Sequence, residues 1–127
     1  MSIKIKIISS KQDLEVAFSI RNTVFVTEQN VPENIEWDNF EKTSTHILAC
    51  FNEKPIGTTR WRDTNKGFKL ERFAVLKNYR CFGVGTALVN FALKELKGEN
   101  NIYLHAQEHV IDFYEKLHFV GVGDTFH

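Results

Sequence analysis

LERFAV at residues 70–75 and RCFGVGTALV at residues 80–89 form the stretch of sequence that decides the fold. The first part belongs to a predicted strand from Phe68 to Val75, and the second leads through two glycines into a predicted amphipathic helix. Gly83 and Gly85 let the backbone approach a ligand closely, and the N–H groups at a helix start attract anions. A pyrophosphate suits such a loop, although two glycines alone are more typical of a plain tight turn.

Hydrophobic periodicity predicts an alternation of strands and helices around this stretch. Apolar patterns typical of strands occur at 3–7, 46–51, 56–61, 68–75, 102–106 and 119–126. Three- and four-residue spacing predicts helices at about 10–27, 84–96 and 110–117. Turns at 52–55 and 63–67 join the middle strands as hairpins. This order predicts the α/β (α+β) class, with a mixed, mostly antiparallel central sheet flanked by helices.

Composition narrows the class of protein. The chain has 127 residues, so we expect one domain over residues 1–127. Its formal net charge is zero, which argues against a nucleic-acid partner. No apolar run is long enough to span a membrane and the amino terminus lacks a signal-peptide core, so we expect a cytoplasmic protein. Cys50 and Cys81 do not have metal-ligand spacing, and Cys50 is interpreted as a small buried hydrophobe.

Three motifs carry a resemblance to a known family. LERFAV followed by Arg80-x-x-Gly83-x-Gly85 resembles the coenzyme A motif of the GNAT superfamily of N-acetyltransferases. FYEKLHF at 113–119 resembles its C-terminal helix motif, with His118 where glycine is usual. RNTVFVTEQNVP at 21–32, with EWD at 36–38, is similar to a small uncharacterised bacterial branch of that superfamily. The motifs occur in the family's order over nearly the whole chain, which implies a GNAT-like fold and an acetyl-CoA-dependent enzyme.

The resemblance also implies how acetyl-CoA, the co-substrate, is held without a metal. The strand LERFAV is expected to splay from its neighbour, so that its main-chain groups at Phe73, Ala74 and Val75 meet the pantetheine arm. Gln107 matches a position near that arm, and Tyr114 matches the tyrosine beside the coenzyme sulfur. The pyrophosphate is expected on the loop and helix start formed by Arg80, Cys81, Phe82, Gly83, Val84, Gly85 and Thr86.

Direct attack of a primary amine on the thioester requires a base, an oxyanion donor and an acid. Glu71 is the first candidate for the base, with a solvated or salt-bridged strand residue next to Arg72 as the alternative. His105 is the second candidate, and its alternative is a satisfied core or cleft histidine. A backbone N–H near Phe73 is expected to hold the oxyanion. Tyr114 is expected to donate to the departing thiolate, unless it is a packed aromatic.

The acceptor side is predicted from acidic residues in the segment after the first helix. Glu28, Glu36 and Asp38 are the candidate acceptor-binding residues, with Glu41 nearby. Acidic walls attract a cationic amine, either a small molecule or a peptide, whereas the alternative is a solvated polar loop. Arg21 and His46 are candidates to anchor this segment.

Two departures from the family pattern keep other interpretations open. Cys81 stands where glycine is usual, so its side chain would crowd a pyrophosphate. The chain stops at His127, so the C-terminal strand that relatives add is expected to be missing, leaving a sheet edge that a homodimer would cover unless the chain is shortened. A non-catalytic acyl-CoA-binding or regulatory module is therefore the alternative function. An acyl transferase that makes lactone signals ranks third.

Overall fold

The structure is a computed structural model that describes residues 2–28, 41, 43–80, 82–98, 101–105, 121–122 and 125–126. For 105, 121–122 and 125–126 the description covers the backbone alone. These residues form a mixed sheet with a helix on each face, which confirms the predicted fold class. The predicted helix at 110–117 lies outside the described residues, as do the candidate residues Glu36, Asp38, Cys81, Gln107 and Tyr114.

The sheet has the strand order β1-β2-β3-β4-β5-β7-β6. Neighbours from β1 to β4 pair antiparallel, β4 and β5 pair parallel, and β7 pairs antiparallel with both β5 and β6. The strand bounds are Ile3–Ile7 (β1), Thr45–Phe51 (β2), Lys54–Thr64 (β3), Gly67–Val75 (β4), Ile102–His105 (β5), Gly121–Val122 (β6) and Thr125–Phe126 (β7).

The two hairpins are tighter than the sequence predicted. Asn52 and Glu53 alone form the turn between β2 and β3, with φ values of 49° and 69°. Two consecutive left-handed residues match the twist of the flanking strands, so β3 begins at Lys54 instead of Ile56. The second turn is also shorter than predicted, because β3 runs to Thr64 and β4 resumes at Gly67.

Two helices cover opposite faces of the sheet. The helix α1 runs from Lys11 to Arg21, is capped by the Ser10 side chain, and continues as a π-helical segment over Asn22–Glu28. It packs on Leu48 and Ala74. The helix α2, Val84–Glu95, packs on the other face, against residues that include Ile47, Trp61 and Leu70. Neither α-helix, within the part of the chain that is described, is long and apolar enough to cross a membrane.

The end of the chain corrects one expectation. The segment from Phe119 was predicted as a single final strand, with the returning C-terminal strand missing. Instead, Gly121–Val122 and Thr125–Phe126 pair with each other, and the second also pairs with β5 through Leu104 and His105. A returning strand therefore lies beside β5, and the edge from which a homodimer was expected is paired at these positions. Strands of two residues are too short to produce a recognisable period.

Candidate active site

A β-bulge interrupts β4 in the middle of the LERFAV stretch. Thr58 pairs with Ala74 and Arg60 pairs with Glu71, so β4 has one more residue than β3 between these pairs. Arg72 has a φ of 58°, in the left-handed region, where a residue with a side chain loses about 1–2 kcal/mol. The bulge therefore stores strain that neighbouring contacts must hold in place.

The bulge reverses the alternation of side chains along β4. Phe68 and Leu70 lie in the cluster under α2, and beyond the bulge Phe73 and Val75 lie there too, while Ala74 joins the cluster under α1. In a regular strand, residues 70 and 74 would share one face. The extra residue thus turns the side chains of Phe73 and Val75 toward α2 and re-aims the main chain between them.

β4 and β5 pair only at their beginnings in the described structure. The registered pairs are Phe68 with Ile102 and Lys69 with Tyr103. Beyond them β4 continues to Val75, whereas β5 ends at His105 and pairs on its other side with β7. This short parallel ladder matches the splayed strand that the family resemblance implied.

The start of α2 follows β4 after a short 3₁₀ helix, Lys77–Tyr79, and offers main-chain donors. Gly83 precedes the helix with a φ of 83°, and a Cβ there would meet no atom of the described residues within 4 Å. The first turn closes with the Ala87 N–H donating to the Gly83 carbonyl at 2.9 Å. The N–H groups of residues 84–86 precede that bond and have no partner within the helix, as at any helix start. These donors suit the oxygens of a pyrophosphate.

Close packing fixes this helix start against the sheet. A Cβ at Gly57 in β3 would lie 3.0 Å from Val84 Cγ1 and 3.4 Å from Leu88 Cδ1. A side chain at this position would force Val84 and Leu88 to shift, so glycine lets α2 lie this near the backbone of β3. Gly57 also pairs with Val75 at the end of β4, so the helix start and the end of the strand are held beside each other.

Arg80 connects the loop before α2 to the π-helical segment after α1. Its Nε donates to the Val75 carbonyl at 2.9 Å, and its Nη1 and Nη2 donate to the carboxylate of Glu28 at 2.5 and 2.8 Å. The hydrogen bond from Arg80 lowers the pKa of Glu28. Glu28, a predicted acceptor-binding residue, therefore lies against the predicted phosphate-binding cation.

Glu71 is buried among cations. Its Oε2 accepts hydrogen bonds from Arg60 Nε at 2.7 Å and Arg62 Nε at 3.0 Å, and a further close contact comes from Arg60 Nη2. Lys69 Nζ lies 3.2 Å from the other oxygen. Only 7% of the Glu71 side chain is exposed.

These contacts decide which proton state Glu71 prefers. Burial alone would raise its pKa, but the charge and hydrogen bonds of Arg60, with the hydrogen bond of Arg62 and the charge of Lys69, lower the pKa below its ordinary value. A carboxylate that is strongly stabilised in its ionised form is a weak base. The geometry thus favours the salt-bridged alternative for Glu71, with Arg60, Arg62 and Lys69 as its partners.

A second carboxylate, Glu41, extends the cluster. Arg21 donates to both of its oxygens at 2.8 Å, and Arg60 Nη1 donates to Oε1 at 2.7 Å. The Nε2 atom of His46 lies 2.9 Å from the Glu41 carbonyl oxygen. Burial lowers the pKa of His46 more than the hydrogen bond and charge of Glu41 raise it, so the imidazole is neutral at pH 7. Arg21 and His46 therefore hold Glu41, in the structural role expected of them.

Arg60 is the residue that sequence reasoning missed. It is fully buried and contacts both carboxylates of the cluster. One signal was present, because Arg60 lies beside Trp61 in the predicted strand at 56–61 and Arg62 follows that strand directly. A strand one residue longer would place both arginines on one face of a covered sheet. Two charges on a covered face require carboxylate partners.

Comparisons with known proteins agree with this geometry. A model described as the Acetyltransferase (GNAT) family matches residues 12–119. The uncharacterized N-acetyltransferase YjcF of Bacillus subtilis (strain 168) is 40% identical over 116 residues, which are 90% of this chain and 83% of that protein. The crystal structure of Escherichia coli ElaA has a TM-score of 0.85 at 24% identity, over 98% of this chain and 97% of the other. An acyl-CoA N-acyltransferase from Pseudomonas aeruginosa has a TM-score of 0.86 at 22% identity, with the same two coverages. At such identities the two solved structures show the fold alone.

Proposed function

Because the chain belongs to the acetyltransferase (GNAT) family, we propose that it moves the acetyl group of acetyl-CoA to a primary amine by direct attack in a ternary complex. The resemblance carried by the three motifs is thereby confirmed. The observation that supports the proposal is the bulged strand β4, which leaves β5 after two paired residues and ends beside the start of α2.

In this proposal the two parts of the site hold different parts of acetyl-CoA. The N–H groups at 84–86 and the guanidinium of Arg80 bind the pyrophosphate. Main-chain groups of β4 beyond the bulge pair with the pantetheine arm, and an N–H at Phe73 stabilises the oxyanion that forms when the amine attacks. Gln107, Cys81 and Tyr114 keep the roles that the resemblance implied, with Tyr114 donating to the departing thiolate.

The base that we propose is His105, the second of the two candidates. Glu71 is ionised and bound by Arg60 and Arg62, so a proton taken from the acceptor would be held weakly. His105 ends β5, the strand from which β4 diverges. An imidazole has an ordinary pKa near 6.5, close to what a base needs at neutral pH.

The acceptor class is proposed as a cationic primary amine of a small molecule or peptide. Glu36 and Asp38 carry this part of the proposal, because the carboxylate of Glu28 is paired with Arg80. Two carboxylates raise the local concentration of a cationic acceptor and slow its dissociation.

Two measurements test the proposed function. Acetyl-CoA at a hundred times its dissociation constant adds about 2.7 kcal/mol to the free energy of unfolding, which raises Tm by on the order of 10 °C for a chain of this size. Coenzyme thiol release is then measured over a panel of amines. A missing Tm shift at roughly millimolar acetyl-CoA would contradict coenzyme binding. Saturable binding without thiol release for any amine would instead support the non-catalytic module.

A further inference from the structure

We propose that Arg60 is a positioning residue for acyl transfer, which holds the bulge of β4 through Glu71 and ties it to Glu41. This inference rests on the proposed function. The guanidinium has no exposed surface and donates to both carboxylates, from Nε to Glu71 at 2.7 Å and from Nη1 to Glu41 at 2.7 Å. It therefore joins three separate parts of the chain at one buried point.

The first of these connections acts on the bulge. Glu71 immediately precedes Arg72, whose left-handed backbone is strained. Consecutive residues of β3 fix Glu71 from two sides, because Thr59 Oγ1 donates to its main-chain carbonyl at 2.9 Å while Arg60 binds its carboxylate. A strained residue persists only where such contacts over-determine it. Arg60 thus sets the path of β4 toward Phe73, the proposed oxyanion donor.

The second connection reaches Glu41, which follows the candidate acceptor residues Glu36 and Asp38 in the chain. Arg21 of α1 and Arg60 of β3 both hold its carboxylate. The strand that is proposed to bind acetyl-CoA and Glu41, three residues after Asp38 in the chain, are therefore tied to the same guanidinium. Arg60 contacts both Glu71 and Glu41, so replacing it would change the position of one relative to the other.

The chemistry of this contact requires arginine. A planar guanidinium presents donors in a fixed fork and can bind two carboxylates in different directions at once. Lysine would keep the charge but concentrates its donors at one nitrogen, so it cannot reproduce both contacts at these distances. A conservative replacement therefore separates the charge of Arg60 from its geometry.

The experiment compares Arg60→Met and Arg60→Lys with Leu96→Ala in the full chain. Leu96 is buried at the end of α2, far along the helix from Gly83. Its truncation destabilises the hydrophobic core and leaves Arg60, Glu71 and Glu41 unchanged. Three quantities are measured at a temperature where each variant is folded: kcat and KM for acetyl-CoA, the acetyl-CoA affinity, and hydrogen exchange of the peptides that contain residues 72–75 and the core strand β2.

We expect Arg60→Met to lower kcat/KM about 10²-fold, because a misplaced reacting group costs about that much. Exchange at 72–75 should speed up about tenfold more than exchange in the core strand β2, because the bulge then opens locally. Arg60→Lys is expected to fold. Compared with Arg60→Met, it should recover less than half of the lost kcat/KM on a logarithmic scale. Leu96→Ala should leave kcat/KM within about twofold of the wild type, and should speed exchange at 72–75 no more than it speeds exchange in the core strand β2.

The proposal would be overturned by equal kcat/KM in Arg60→Met and Leu96→Ala, together with exchange at 72–75 that Arg60→Met speeds no more than exchange in β2. Arg60 would then be a stabilising residue only. If Arg60→Met does not fold, the same measurements on Arg60→Lys decide, and full activity with lysine would also overturn it. A wild-type protein that acetylates no amine contradicts the proposed function. The exchange measurement still decides whether Arg60 holds the bulge in that case.

Discussion

Replacing Glu71 by glutamine tests whether this carboxylate is an ion-pair anchor or a base. The change keeps the size of the side chain and removes a charge that Arg60, Arg62 and Lys69 surround. Breaking a buried ion pair by removing one partner costs about 3–5 kcal/mol. The side chain is 7% exposed, so little solvent screening reduces that cost. For 127 residues the loss corresponds to a fall in Tm of about 10–20 °C.

The sign of the pH effect follows from the lowered pKa of Glu71. The stability that its ionised form provides is complete above the ordinary value of 4.5 and is lost as the pH falls through the lower value in the folded protein. Thermal unfolding of Glu71→Gln should therefore differ most from the wild type at neutral pH. The difference should shrink in acid, where the wild-type carboxylate becomes protonated too.

The activity assay separates the two roles. An anchor is expected to change the size of kcat/KM but not the shape of its pH profile, since the titrating base remains. Glu41→Gln serves as the matched control, because it also removes a carboxylate from Arg60 and was never a candidate base. A Glu71→Gln variant with nearly unchanged Tm and a lost acidic limb in the pH profile would refute the reasoning. Glu71 would then be the base.

Three further outcomes are expected. Since burial lowers the pKa of His46, the unfolded chain binds a proton before the folded protein does as the pH falls below about 6.5. Tm measured in thermal melts should therefore fall between about pH 7.5 and 5.5, and the fall should be smaller in His46→Gln. Gly57→Ala should lose about 1–3 kcal/mol in denaturant unfolding through its contact with Val84, and adding Val84→Ala should recover part of it. Arg80→Met should weaken acetyl-CoA binding at least about tenfold in a calorimetric titration, whereas Glu28→Gln should not weaken it, because the guanidinium keeps its charge. The first outcome is contradicted if His46→Gln shows the same fall in Tm as the wild type, and the second if Gly57→Ala is as stable as the wild type. The third is contradicted if Arg80→Met binds acetyl-CoA as tightly as Glu28→Gln.

The order of elements could be predicted because it depends on local signals. Ser10 caps α1 through the N–H of Asp13, as a serine three residues before an acidic residue suggests. The strand β4 and the helix α2 were predicted from apolar spacing and two glycines, and both lie close to the predicted bounds. These features need only residues that are near one another in the chain.

The bulge and the charge cluster could not be predicted in the same way. Arginine has no preference for the left-handed region, so Arg72 did not indicate an irregular backbone in the sequence. Arg60 and its partners Glu41 and Glu71 are 19 and 11 positions apart, and ion pairs at such separations follow no period. The partners of Glu71 can be identified only in the folded structure, and their charges make Glu71 a weaker base than the sequence suggested.

The π-helical segment over Asn22–Glu28 has a consequence for how this chain can vary in length. A helix of this kind is an α-helix with a residue inserted, and the extra residue turns everything after it. Deleting one residue there would restore α-helical winding and rotate Glu28 by about 100° around the axis. The carboxylate would then leave Arg80, while the buried face of α1 at Ala17 and Ile20 would remain unchanged. Single-residue length differences between related chains in this segment would therefore indicate which of them keep the link between the first helix and the loop before α2.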